Sequence, residues 1–195
     1  MFARTARPAI LSAGILLAAA APAFAHLNPA EHGSFMAGLS HPLFGADHIL
    51  AMVAVGIWAA MIGGRAMLIV PASFVITMGI GFALALSGMS LPFVEPAILA
   101  SVVGLGLLVA LAVRVPATVS AAVVAVFALF HGYAHGTELG GAGALTFGLG
   151  FMAGTALLHA AGVGLGIGLN RFGGMTLSRI LGGLTALAGI AMMAG

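Results

Sequence analysis

The chain has 195 residues, 62% of them hydrophobic and 5% charged, with a mean hydropathy of +1.24, a balance that excludes a soluble globular domain and implies an integral membrane protein. It contains no cysteine, which removes disulfides and thiolate metal sites and leaves imidazole, carboxylate, backbone and water as the ligands for any metal. The six basic residues are arginines scattered singly, so the pI of about 10.6 marks no basic cluster and argues against nucleic acid as a partner.

In chain order, Arg4 and Arg7, the short apolar run Ile10 to Ala20 and the small-x-small triplet Ala23-Phe24-Ala25 form an export signal over residues 1–25. Cleavage after Ala25 makes His26 the first mature residue and places the mature N-terminus outside the cytoplasm. The segment 26–40 then forms a short extracytoplasmic stretch carrying His26, Glu31 and His32. These are weak candidates for capturing a cation, since exposed tails also carry such residues idly.

Six apolar spans follow, near 42–63, 66–88, 94–113, 116–136, 143–169 and 175–194. Each approaches the roughly 20 residues that a helix needs to cross a bilayer. None alternates as a barrel strand does, and backbone satisfaction in lipid requires helices. The expected fold is an all-α integral membrane protein, a six-transmembrane-helix bundle forming one domain over 26–195. Pairs such as Gly150/Gly154 and Gly162/Gly166 suit close helix packing in a membrane.

The first span opens with HPLFGADHILAM, His41 to Met52. As one helix it would put His41 and His48 on a single face, about two turns apart, with Asp47 offset by roughly 100°. Ionisable groups at such depth are costly and mark a functional site. The plainer readings are an interfacial residue for His41 and an interhelical hydrogen-bonded pair for Asp47 and His48. Met52, one turn on, is better read as packing. Glu95 begins the third span, as a charge at the mouth of a site or as a partner of the helix dipole.

The fourth span closes with FHGYAHGTE, Phe130 to Glu138. The i, i+4 spacing of His131 and His135 puts two imidazoles on one face within reach of one ion, with Glu138 three residues further on. Gly132 and Gly136 admit another backbone or end the helix. Gly132 stands where a zinc protease would need its catalytic glutamate. Interhelical packing for the histidines and a solvated loop charge for Glu138 are the alternatives. His159, deep in the fifth span, is either a relay or a residue bonded to a neighbouring helix.

Polarity is segregated. With the N-terminus outside, Arg65, Arg114, Arg171 and Arg179 fall on the cytoplasmic side, as the positive-inside rule requires. All four acidic residues and every histidine except His159 fall on the outer side. Imidazole and oxygen donors without sulfur suit Ni²⁺, Co²⁺, Zn²⁺ or Mn²⁺ and argue against Cu⁺. The residues leave the metal open, and with it the choice between transport and catalysis.

HPLFGADHILAMVAVGIWAA resembles the H-x5-D-H signature of the HupE/UreJ family of nickel permeases, and FHGYAHGTE resembles that family's second signature. PASFV at Pro71 to Val75 and LPFVE ending at Glu95 extend the resemblance over nearly the whole chain. It implies a permease rather than an enzyme: secondary import of Ni²⁺, with Co²⁺ or Zn²⁺ as further cargo, across the bacterial cytoplasmic membrane, with no permanently bound cofactor. It also implies an indirect link to hydrogenase or urease maturation. By motif match the metal-handling positions would be His41, Asp47, His48, Glu95, His131, His135 and Glu138. Two rivals use the same residues, a metal-dependent intramembrane hydrolase and a haem protein ligated by His48 with His131 or His135.

Overall fold

The structure is a computed structural model that describes residues 34–139, 143–172 and 174–195. The expected signal at 1–25 and the candidates His26, Glu31 and His32 lie outside the described residues.

Every regular element among the described residues is helical. A short helix α1 (Phe35–Ser40) leads through a 3₁₀ turn (His41–Leu43) into α2 (Ala46–Ile62). The longer helices α3 (Ala66–Leu86), α4 (Val94–Ala110), α5 (Ala117–Leu139), α6 (Ala144–Phe172) and α7 (Gly174–Ala194) follow. Four of them, α3, α5, α6 and α7, are long and apolar enough to cross a membrane. Large side chains such as Leu68, Ile76, Leu157 and Leu187 stand exposed on their outer faces, as contact with acyl chains requires.

The first and third expected spans need correction. The first is broken: α1 with its turn meets α2 at 81°. Pro42 sits in the 3₁₀ turn, where it has no amide hydrogen to give, and Gly45 stands extended as the cap before α2 (φ −94°, ψ 120°). His41 therefore precedes the bend, and the expectation that it shares a helical face with His48 fails. The third, α4, has 17 residues, about 25 Å of helix, less than the roughly 30 Å of a hydrocarbon core.

Glycines set the packing. The main helix pairs are α3 with α5, α4 with α7, and α2 with α6, and each is seated on glycine. A Cβ on Gly132 would strike the Met78 backbone, one on Gly106 the backbone of Gly182 and Ala186, and one on Gly56 the backbone of α6 at His159 and Val163. Gly150 and Gly154 receive α1 in the same way. Gly132 thus admits a neighbour and does not end its helix. Close backbone approach compensates for the weak hydrophobic drive between helices in lipid.

Polar contacts pin the ends. Trp58 Nε1 donates to the Val113 carbonyl at 2.8 Å and Arg179 Nε to the Ala110 carbonyl at 2.8 Å, the latter satisfying an acceptor orphaned at the end of α4. At the opposite end Tyr133 accepts from Leu91 N at 3.1 Å and donates to the Met89 carbonyl at 2.7 Å. That clamp holds the loop after α3 beside the C-terminal half of α5.

Candidate functional site

Four histidines form a continuous chain of contacts inside the bundle. His41 Nε2 lies 3.0 Å from His135 Nδ1, His135 Nε2 lies 2.7 Å from His48 Nε2, and His48 Nε2 lies 3.4 Å from His131 Nδ1. The rings meet edge to face, with centroids 4.5 to 4.9 Å apart. Burial deepens along the series. His41 is half-buried, His135 and His48 are 7% and 5% exposed, and His131 is fully enclosed.

The elements explain the convergence. His131 and His135 are one turn apart on α5, so both rings leave the same face. His48 comes from the first turn of α2, and the bend before it swings His41 back to the far side of His135. Phe151 of α6 lies against His41, His48 and His135, with centroids 6.0, 6.1 and 4.7 Å away. Phe147 adds a second ring beside His41 at 5.4 Å. The imidazoles are thus ordered by a wall of hydrocarbon.

Two hydrogen bonds assign the protons. Asp47 Oδ1 lies 3.1 Å from His48 Nδ1. A carboxylate only accepts, so Nδ1 carries the hydrogen and Nε2 keeps its lone pair. A side chain at position 45 would collide with this pair, since a Cβ there would stand 2.7 Å from Asp47 Oδ1 and 3.0 Å from His48 Nδ1. At the other end the Ser101 hydroxyl lies 2.6 Å from the Ile98 carbonyl and 2.9 Å from His131 Nε2. Its hydrogen is given to the carbonyl, so Ser101 accepts from His131 Nε2–H and leaves the lone pair on Nδ1.

His48 Nε2 and His131 Nδ1, both unprotonated on this assignment, consequently lie 3.4 Å apart, with the His48 lone pair taken by the hydrogen of His135 Nε2. Two nitrogens bound to one tetrahedral ion at about 2.0–2.1 Å stand roughly 3.3 Å apart. His135 Nε2 completes the group, at present donating its hydrogen to His48. Among the described residues no group of three or more His, Asp or Glu side chains is arranged to hold a metal ion as it stands, and the 2.7 Å contact has the length of a hydrogen bond.

The other candidates fall as follows. Asp47 retains 28% side-chain exposure and, among the described side chains, is the acid that reaches the chain. Glu95 stands exposed in the first turn of α4, with no hydrogen bond or ion pair to any of the four rings. Glu138 belongs to α5, but its side chain lies outside the described residues. His159 is buried on α6 and makes no hydrogen bond to the four rings. Met52 is fully buried in the core. Sequence reasoning missed Ser101, a common residue in an apolar helix with no local signal that it would meet an imidazole 30 positions away.

A family model for HupE / UreJ protein matches residues 14–192. A protein named HupE from Rhizobium leguminosarum bv. viciae is 48% identical over 184 residues, which is 92% of this chain and 95% of that protein. No solved structure matches.

Proposed function

The chain belongs to the HupE / UreJ family, and from that premise we propose that it is a permease carrying a divalent transition-metal ion, Ni²⁺ before Co²⁺ or Zn²⁺, inward across the bacterial cytoplasmic membrane. The observation that carries this reading is the convergence of His131 Nδ1 and His135 Nε2 on His48 Nε2, at 3.4 and 2.7 Å, with the Asp47 carboxylate behind His48. Three imidazole nitrogens gathered beside a carboxylate inside a helical bundle are a donor set that suits a borderline divalent ion.

The route begins at half-buried His41 and Asp47, which meet a hydrated ion and exchange its water stepwise for nitrogen. As the ion reaches His48 and His131, His135 releases its Nε2 hydrogen to the water the ion sheds and takes one on Nδ1 from His41 Nε2. His41 regains a proton from water on its own Nδ1, so that the third nitrogen is freed for the ion. A bare dication in hydrocarbon faces a prohibitive Born cost. The Asp47 carboxylate offsets it through His48. Glu95 and Glu138 would act at the mouth by charge. The chain has no P-loop motif, and an inside-negative potential favours entry by about 4.6 kcal/mol per dication per 100 mV. Supply of a nickel enzyme such as hydrogenase or urease is the destination this reading implies, with six crossings and the mature N-terminus outside.

The rivals fare less well on the same atoms. A haem would need its macrocycle between two axial imidazoles, but the rings of His48, His131 and His135 touch. A hydrolase finds a serine–histidine pair in Ser101 and His131, yet Ser101 is fully buried and gives its hydrogen to Ile98. Uptake of radiolabelled Ni²⁺ into cells lacking another nickel importer tests the proposal. Asp47→Asn and His48→Ala should each abolish uptake while the protein still reaches the membrane, and normal uptake by either would refute it.

A further inference from the structure

Beside the histidine chain Phe74 of α3 packs against two imidazoles. Its ring centroid is 5.7 Å from that of His131 and 4.9 Å from that of His159. Phe74 is fully buried and His159 is 1% exposed. His159 lies eight residues beyond Phe151 on α6, about 12 Å further along the axis. Both of its ring nitrogens are buried without a hydrogen-bond partner.

A histidine retained only to tie helices together would use at least one nitrogen to do so. A buried polar ring left unsatisfied calls for another explanation. Its surroundings supply one. Thr155 lies one turn before His159 on α6, and Met78 lies one turn after Phe74 on α3. The Thr155 hydroxyl reaches Met78 Sδ at 3.6 Å. An imidazole, a hydroxyl and a thioether therefore line one seam between α3 and α6, donors that suit a borderline transition-metal ion better than Ca²⁺ or Mg²⁺.

We propose that His159 is a second, inner imidazole station for the metal ion, separated from the His48, His131 and His135 group by the ring of Phe74, whose displacement joins the two. This rests on the permease reading above. Phe74 packs against both His131 and His159, so its ring lies at the junction of the two stations. An apolar constriction that must move before an ion passes is one recognised way to gate a pathway.

The test uses the full-length protein, purified and reconstituted in liposomes. Uptake of Ni²⁺ and of Cd²⁺ is followed separately, and Ni²⁺ binding is measured by calorimetry in detergent. His159→Leu should lower Ni²⁺ uptake at least tenfold while Ni²⁺ binding to the outer group stays within about threefold of wild type. His159→Cys should restore uptake of Cd²⁺ more than of Ni²⁺, because a thiolate prefers the softer ion; a role in packing alone would not alter the preference between cations. Wild-type rates in His159→Leu would overturn the inner station and leave the permease reading intact. Equal loss of both cations in His159→Cys would also overturn it, including where the leucine variant fails to fold. A wild-type protein that neither binds nor carries Ni²⁺ would overturn the permease reading and this inference together.

Discussion

The Nε2 atoms of His48 and His135 meet at 2.7 Å, joining α2 to α5, two helices with no extensive interface of their own. Side chains, not backbone packing, close this part of the bundle. Such a junction can part and re-form without disturbing the glycine-seated helix pairs around it. A site that must accept and release an ion gains from that separation.

The proton assignment can be tested at Ser101. Ser101→Ala removes the acceptor for His131 Nε2–H, so the ring no longer holds its Nδ1 lone pair towards His48. Supporting hydrogen bonds to ligand histidines are commonly worth about 10–100-fold in metal affinity. Ni²⁺ titration by calorimetry should show a loss in that range. Unchanged affinity would mean that Ser101 does not set the tautomer.

Asp47→Asn keeps an oxygen acceptor for His48 Nδ1–H but deletes the carboxylate's charge. It should therefore lower transport more than it disturbs the fold. Uptake should vanish with the thermal midpoint in detergent within a few degrees of wild type. A large drop in that midpoint would assign Asp47 a structural role.

Glycines on one helix should separate by environment. A Cβ on Gly162 would enter the backbone of Val53 and Gly56, whereas one on Gly164 meets nothing within 4 Å. Gly162→Ala should cost about 1–3 kcal/mol through overpacking. Gly164→Ala should be neutral or stabilising by up to about 1 kcal/mol. Paired thermal melts in detergent decide it, and equal effects would refute the α2 and α6 packing described here.

The chain's lack of cysteine provides a clean background for topology. Ser90→Cys and Thr118→Cys both replace exposed residues, at opposite ends of α4. A membrane-impermeant thiol reagent applied to intact cells should label the first and spare the second. The reverse pattern would invert the proposed orientation.

Much of this was legible without coordinates. Composition set the class, because a backbone in lipid has so few ways to satisfy its polar groups. Span boundaries read from hydropathy alone fall within a few residues of most helix ends. The i, i+4 spacing of His131 and His135 foretold a shared face because helical period is a local property. Pro42 and Gly45 do not by themselves mark the break before α2. An apolar run of that length reads as one helix unless packing shows which side of the bend is held.

What the sequence determined by itself is therefore the lipid-embedded helical class and the chemical nature of the donors, since residue type and periodicity act over a few positions. Tertiary structure alone decided which donors meet. It folded His41 back onto His135, brought Ser101 under His131, left Glu95 exposed, and packed Phe74 against both His131 and His159. Those outcomes depend on how helices distant in the chain cross on their glycines, and no local pattern encodes a crossing.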